Sequence, residues 1–303
     1  MKRSVLISMA MILLAVGALA PMPAQAFVLQ SFDVPGATTT KGRGINDDGD
    51  IVGRFQKPAD TKTYGFLKEG DTYTEIMVSG SSQTIGYDIN NSGVVVGSYI
   101  TTAWGGFTWT SGGGFSYFSK SGASITYAYG NNNAGKIVGV YRIGTTNYGY
   151  EYDGSTFSDF NYSGATLTQP NDINNNNVIV CYYTLSGVRH GFRKNGAAWT
   201  TIDYAGADNT ELWGINDNGL MVGSYQASGV THGFVTNGGA YWETIDYPGA
   251  TSTSLSRINN NNFLTGEYTA SGQTHGLSAA PLPAPLYLLG AGLAALALKR
   301  RRR

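Results

Sequence analysis

Three short strings recur in step along this 303-residue chain, and no other feature restricts its fold as much. The first stands at 44–55 (GINDDGDIVGRF), 88–99 (DINNSGVVVGSY), 130–141 (GNNNAGKIVGVY), 172–183 (DINNNNVIVCYY), 214–225 (GINDNGLMVGSY) and 257–268 (RINNNNFLTGEY). Their spacings are 44, 42, 42, 42 and 43 residues. The second string begins at 33 (DVPGAT) and returns in each copy until 246–251 (DYPGAT). The third centres on Gly65, Gly106, Gly149, Gly191, Gly233 and Gly276, set between apolar or aromatic residues. A period near 42 residues predicts a propeller blade or a solenoid turn.

Within a unit every signal is strand or turn. Asn216-Asp217-Asn218-Gly219 joins two apolar runs as a hairpin turn does. A Ser/Thr/Gly-rich gap leads to a third strand around His232-Gly233-Phe234-Val235, and Asn237-Gly238 turns into a fourth, from Tyr241 to Asp246. Four antiparallel strands in about 42 residues make one blade. No stretch of the body carries helical periodicity. The predicted fold is all-β, a six-bladed β-propeller over 27–280, with a β-solenoid as the alternative. Phase favours the propeller. The body opens on a fourth strand, 27–33 (FVLQSFD), and closes at 277–280 after a third, so the N-terminal strand can complete the last blade. That pairing would remove a sheet edge that otherwise invites aggregation.

The two ends read as addresses. Residues 1–26 form a secretory signal: Lys2 and Arg3, an apolar run from Val5 to Ala20, and a small-x-small cleavage site ending at Ala26. Residues 281–303 hold a proline-bearing motif, a short apolar helix and an Arg cluster. The uncharged run is about long enough to cross a bilayer, and the basic cluster would stay cytoplasmic. This layout resembles the PEP-CTERM sorting signals of Gram-negative bacteria, in the variant where Pro281-Leu282-Pro283-Ala284 replaces Pro-Glu-Pro. The resemblance implies signal peptidase and an exosortase-type protease as processing partners. It further implies transient contact with the inner membrane and a cell-surface or extracellular destination. A plain C-terminal membrane anchor is the alternative. The recurring Gly-Ile-Asn…Val-Gly…His-Gly-Phe pattern resembles the bacterial extracellular HAF-type repeat, with Gly where that family has Ala. That resemblance implies a surface protein and little chemistry.

Charge narrows the partners. The chain has 20 basic and 20 acidic residues, but the ends hold seven of the basic ones and no acid. The body is therefore acidic, which argues against nucleic acid. A single cysteine excludes an internal disulfide framework, and Cys181 stands where the other copies have glycine, the place of a small buried side chain.

The Asn/Asp turns invite a calcium reading, yet Gly44 occupies the first ligand position and the other copies are mostly Asn, so a tight turn is favoured. His190, His232 and His275 share one position on the third strand of three successive units. Blades hold such positions too far apart for one zinc ion, so a structural role is favoured over a metal site. No cofactor is implied. Just before the Ile-Asn pair stand Gly44, Asp88, Gly130, Asp172, Gly214 and Arg257. Asp88, Asp172 and Arg257 can face the central channel; the plainer alternative has the acids on turn amides and Arg257 toward solvent.

The expected function is a non-catalytic binding or scaffold module for extracellular polysaccharide or matrix. Asp33, Tyr162, Asp203, Tyr204, Asp246 and Tyr247 are the candidate ligand-binding residues on one rim. A carbohydrate-cleaving lyase or glycosidase and a protein–protein scaffold are the alternatives. The enzyme would need a converging acid–base pair, for which Asp88 and Asp172 are the only nominees.

Overall fold

A computed structural model describes residues 26–282. These residues are all-β: the first strands open with half-buried and buried residues alternating along the pleat, as in Thr39–Ile45, while the second strands, such as Met221–Ala227, are buried on both faces over most of their length. Four antiparallel strands recur at 39–76, 83–118, 125–160, 167–201 and 209–245 (units one to five). Unit six takes its first three strands from 252–281 and its fourth from the other end of the chain. Unit five shows the pattern: Asn209–Ile215, Met221–Ala227, Val230–Thr236 and Trp242–Ile245, each paired to the next. The sheets touch through two single parallel pairs, Thr63↔Gln83 between units one and two and Ile125↔Trp104 between units two and three.

The N-terminal strand Phe27–Phe32 pairs antiparallel with Gln273–Pro281, in register from Phe27↔Pro281 to Phe32↔Gly276. The last strand thus runs one residue past the boundary read from the sequence, and the Leu282 amide donates to the Ala26 carbonyl. Each first strand packs on the first strand of the next unit, and that of unit six packs on that of unit one. These first strands therefore surround an axis. Small apolar clusters, one per seam or unit, fill the space between sheets. Cys181 is fully buried among them, and burial pushes its thiol well above its ordinary range, so it packs rather than reacts.

The segments read as a leader and a sorting tail, 1–26 and 281–303, lie outside the described residues except for Ala26, Pro281 and Leu282. Among the described residues no helix is long and apolar enough to cross a membrane.

Candidate functional site

Polar side chains gather at the axis and along one rim. At the axis, every first strand carries a β-bulge at the same place, between Gly42/Gly44, Gly86/Asp88, Ala128/Gly130, Pro170/Asp172, Leu212/Gly214 and Leu255/Arg257. A bulge re-aims the side chain that follows it. Here it brings Asp88, Asp172 and Arg257 together, each about 5% exposed or less. Arg257 Nε lies 3.3 Å from Asp88 Oδ1 and 3.6 Å from Asp172 Oδ2. Its Nη1 donates to the Trp213 and Ser256 carbonyls, and its Nη2 donates to those of Tyr129 and Asn171, both at 2.6 Å. One side chain from unit six thereby touches units two, three, four and five.

The alternation of glycine and charge has a steric cause. A Cβ on Gly44 would fall 2.6 Å from Asp88 Cα, and one on Gly130 would fall 2.7 Å from Asp172 Cα. Glycine in the odd units lets the charged strands of the even units approach. The plainer alternative fails for Arg257, which is buried on the axis. It holds in part for the acids: Asp88 Oδ2 accepts from the Asn131 amide, while Asp172 accepts from those of Ile173 and Ile215. Burial pushes the Asp88 carboxyl up to about 7, with Arg257 pulling down and Asp172 adding to the rise; burial raises Asp172 as well. Arg257 lines two small cavities, of about 60 and about 20 Å³, so its side chain fills most of the axis at this level.

The Asn/Asp turns close over this plug. The amide of each second turn residue donates to the side chain of its counterpart in the next unit: Asp47 to Asn91, Asn91 to Asn133, Asn133 to Asn175, Asn175 to Asp217, Asp217 to Asn260, and Asn260 back to Asp47. The preceding asparagines accept from their own turn through Oδ1. From unit two onward each donates through Nδ2 to the next unit's carbonyl, ending with Asn259 to Asn46 at 2.7 Å. In the first copy, the arguable calcium loop, Asn46 Nδ2 instead meets Asp50 Oδ2. Among the described residues no group of three or more His, Cys, Asp or Glu side chains could hold a metal ion. Sequence reasoning read these residues as turns and missed the inter-unit ring. The signal was the Asn or Asp at one position in all the copies.

The rim on the opposite face is built differently. His190 Nδ1 lies 2.7 Å from Asp203 Oδ2, His232 Nδ1 2.7 Å from Asp246 Oδ2, and His275 Nδ1 2.7 Å from Asp33 Oδ2. Each imidazole stacks at about 5 Å on a buried tyrosine (Tyr183, Tyr225, Tyr268). On the far side of those rings lie Tyr162, Tyr204 and Tyr247, at 3.7 to 3.8 Å. The six rim candidates are thus brought into one arrangement, but each rim tyrosine is half-buried with one face already covered. The outward groups are the histidines and their aspartates, side chains 24–28% and 37–42% exposed. From the sequence, a structural role is expected for the histidines. They do pack on tyrosine, and they also hold the rim carboxylates. With Nδ1 on the carboxylate, Nε2 is the ring nitrogen left for another partner.

No family model and no curated protein matches the chain. Solved structures do. A protein assigned as TolB from Agrobacterium tumefaciens matches at 10% identity and TM-score 0.59, over 85% of this chain and 99% of that one. TolB from Acinetobacter baumannii matches at 11% and 0.54, over 77% and 64%. A luciferin-regenerating enzyme matches at 12% and 0.52, over 85% and 96%. At such identities the likeness shows the fold, a β-propeller, and nothing of the activity.

Proposed function

We propose that this chain is an exported, non-catalytic propeller module that binds extracellular polysaccharide on its His–Asp rim. The observation that carries this reading is the chain of Tyr, Tyr, His and Asp along that rim, polar and half-exposed where the axis is plugged. Carboxylates and imidazoles bond sugar hydroxyls, and several weak contacts along one polymer add by avidity. The position of the chain ends supports the orientation. Phe27 and Pro281 are paired at one end of their strands, while Asp33 and His275 meet at the other. Six residues of strand put these ends about 20 Å apart. A tail held at the cell surface from Pro281 onward would leave the His–Asp rim facing outward.

Retention of the purified protein on immobilised polysaccharides (dextran, cellulose, alginate) tests the binding. Retention on at least one, lost in a folded His232→Ala/His275→Ala variant, is expected. Retention on none, with capture of a defined protein partner instead, would favour the scaffold reading. Mass spectrometry of the protein recovered outside the cell tests the traffic, with cuts after Ala26 and near Pro281–Ala284 expected. One observation favours a second reading. A histidine held by a carboxylate at 2.7 Å is also the arrangement of a general base. Shortening of the bound polymer, abolished by Asp246→Asn, would identify a glycan-cleaving enzyme.

A further inference from the structure

The His–Asp arrangement occupies only half of the rim. Four positions define it: the residue after the rim acid, the second-strand aromatic, the third-strand residue before the repeated glycine, and the next rim acid. Units four, five and six read Tyr162/Tyr183/His190/Asp203, Tyr204/Tyr225/His232/Asp246 and Tyr247/Tyr268/His275/Asp33. Units one, two and three read Val34/Phe55/Tyr64/Met77, Val78/Tyr99/Gly105/Ser119 and Lys120/Tyr141/Tyr148/Asn161. Asp203 and Tyr204 are neighbours in sequence, as are Asp246 and Tyr247, so each set runs directly into the next.

The fold itself does not require these sets. In unit three Asn161 Oδ1 accepts from the Gly149 amide at 3.1 Å, the same bond that Asp203 Oδ1 makes with Gly191. The backbone is served equally by Asn. What aspartate adds is its second oxygen, and that oxygen holds a histidine. An exposed pair of this kind contributes little to stability. Beside two of the histidines, two residues along the strand, stand Val188 and Val230, 39% and 41% exposed. Each set therefore offers a fixed hydrogen-bonding nitrogen, and in units four and five that nitrogen stands beside an exposed valine, where unit six has Gln273.

Building on the polysaccharide reading, we infer that units four to six form three successive subsites for one linear, neutral polysaccharide, alike in their Tyr, Tyr, His and Asp. His190, His232 and His275 hydrogen-bond sugar hydroxyls through Nε2, and Val188 and Val230 cover sugar C–H faces. A neutral glycan suits this arc better than an acidic one, because Asp33, Asp203 and Asp246 place three carboxylates along it. A repeating ligand suits three repeating subsites, since each contact adds to the last without new chemistry.

The test uses malto-, cello- and laminari-oligosaccharides of increasing length against the full protein, read by calorimetry. In the series that binds, affinity should rise with length until the chain spans three subsites and then level off. Each His→Ala change should weaken long-chain binding about fivefold, and the triple variant on the order of a hundredfold, at unchanged melting temperature. A gain-of-function variant, Lys120→Tyr/Tyr148→His/Asn161→Asp, should build a fourth subsite beside Tyr141 and move the plateau to a longer chain. If the wild type binds but the folded triple variant binds equally well, the subsites are wrong while polysaccharide binding stands. If the wild type binds no glycan, neutral or acidic, both fall. Binding confined to acidic glycans such as alginate overturns the ligand class.

Discussion

The axis and the rim use the same kinds of residue for opposite ends. Asp88, Asp172 and Arg257 on the axis are buried, bonded to the backbone of most units and closed off by the ring of Asn and Asp turns. Asp33, Asp203 and Asp246 on the rim are part-exposed, bonded within one unit and left with an outward imidazole. Buried polar groups are costly unless every partner is met, so the axial set acts as one structural unit. Exposed pairs tolerate loss, so the rim can vary from unit to unit without endangering the fold. The comparison teaches that burial, not residue type, separates scaffold from candidate site.

The heaviest blow to this contrast is removal of residues 27–33, which strips the fourth strand from unit six and exposes the edge of Gln273–Pro281. Size-exclusion chromatography should show aggregation; a monomer as stable as the parent would break the scaffold side of the comparison. Next, Arg257→Met leaves two buried carboxylates without their cation and should lower unfolding free energy by about 3–5 kcal/mol in a denaturant titration. Asn174→Ala orphans the Asn176 and Val178 amides of its own turn and leaves the Asn216 carbonyl of the next unit with only the Gly219 amide. A loss of about 1–3 kcal/mol is expected.

The axis also carries a pH dependence. The Asp88 carboxyl rises from near 3.8 to about 7 on folding, so the folded state holds a proton that the unfolded chain releases. This contribution is complete below about pH 4, declines as pH climbs, and is gone above about pH 7. Melting temperature should fall across that window in the wild type and fall less in Asp88→Asn. Smallest of all, His232→Ala should change stability by no more than about 0.5 kcal/mol. A drop as large as that of Asn174→Ala would mean that the rim is scaffold too, and the distinction between the two regions would collapse.

The sequence by itself determined the all-β class, the 42-residue unit, its strand and turn order, and the phase that lets Phe27–Phe32 join the last unit. Those features are local or periodic, and a repeat states them once per copy. It also marked Asp88, Asp172 and Arg257 as a break in the pattern and the rim acids as candidates. Only the tertiary structure decided what these residues do. Arg257 meets Tyr129, 128 residues away in sequence, because bulged strands with glycine neighbours approach closely at the axis. His275 meets Asp33, 242 residues away, because the chain ends share one sheet. Distances of that kind are set by how sheets pack, and no spacing along the chain encodes them.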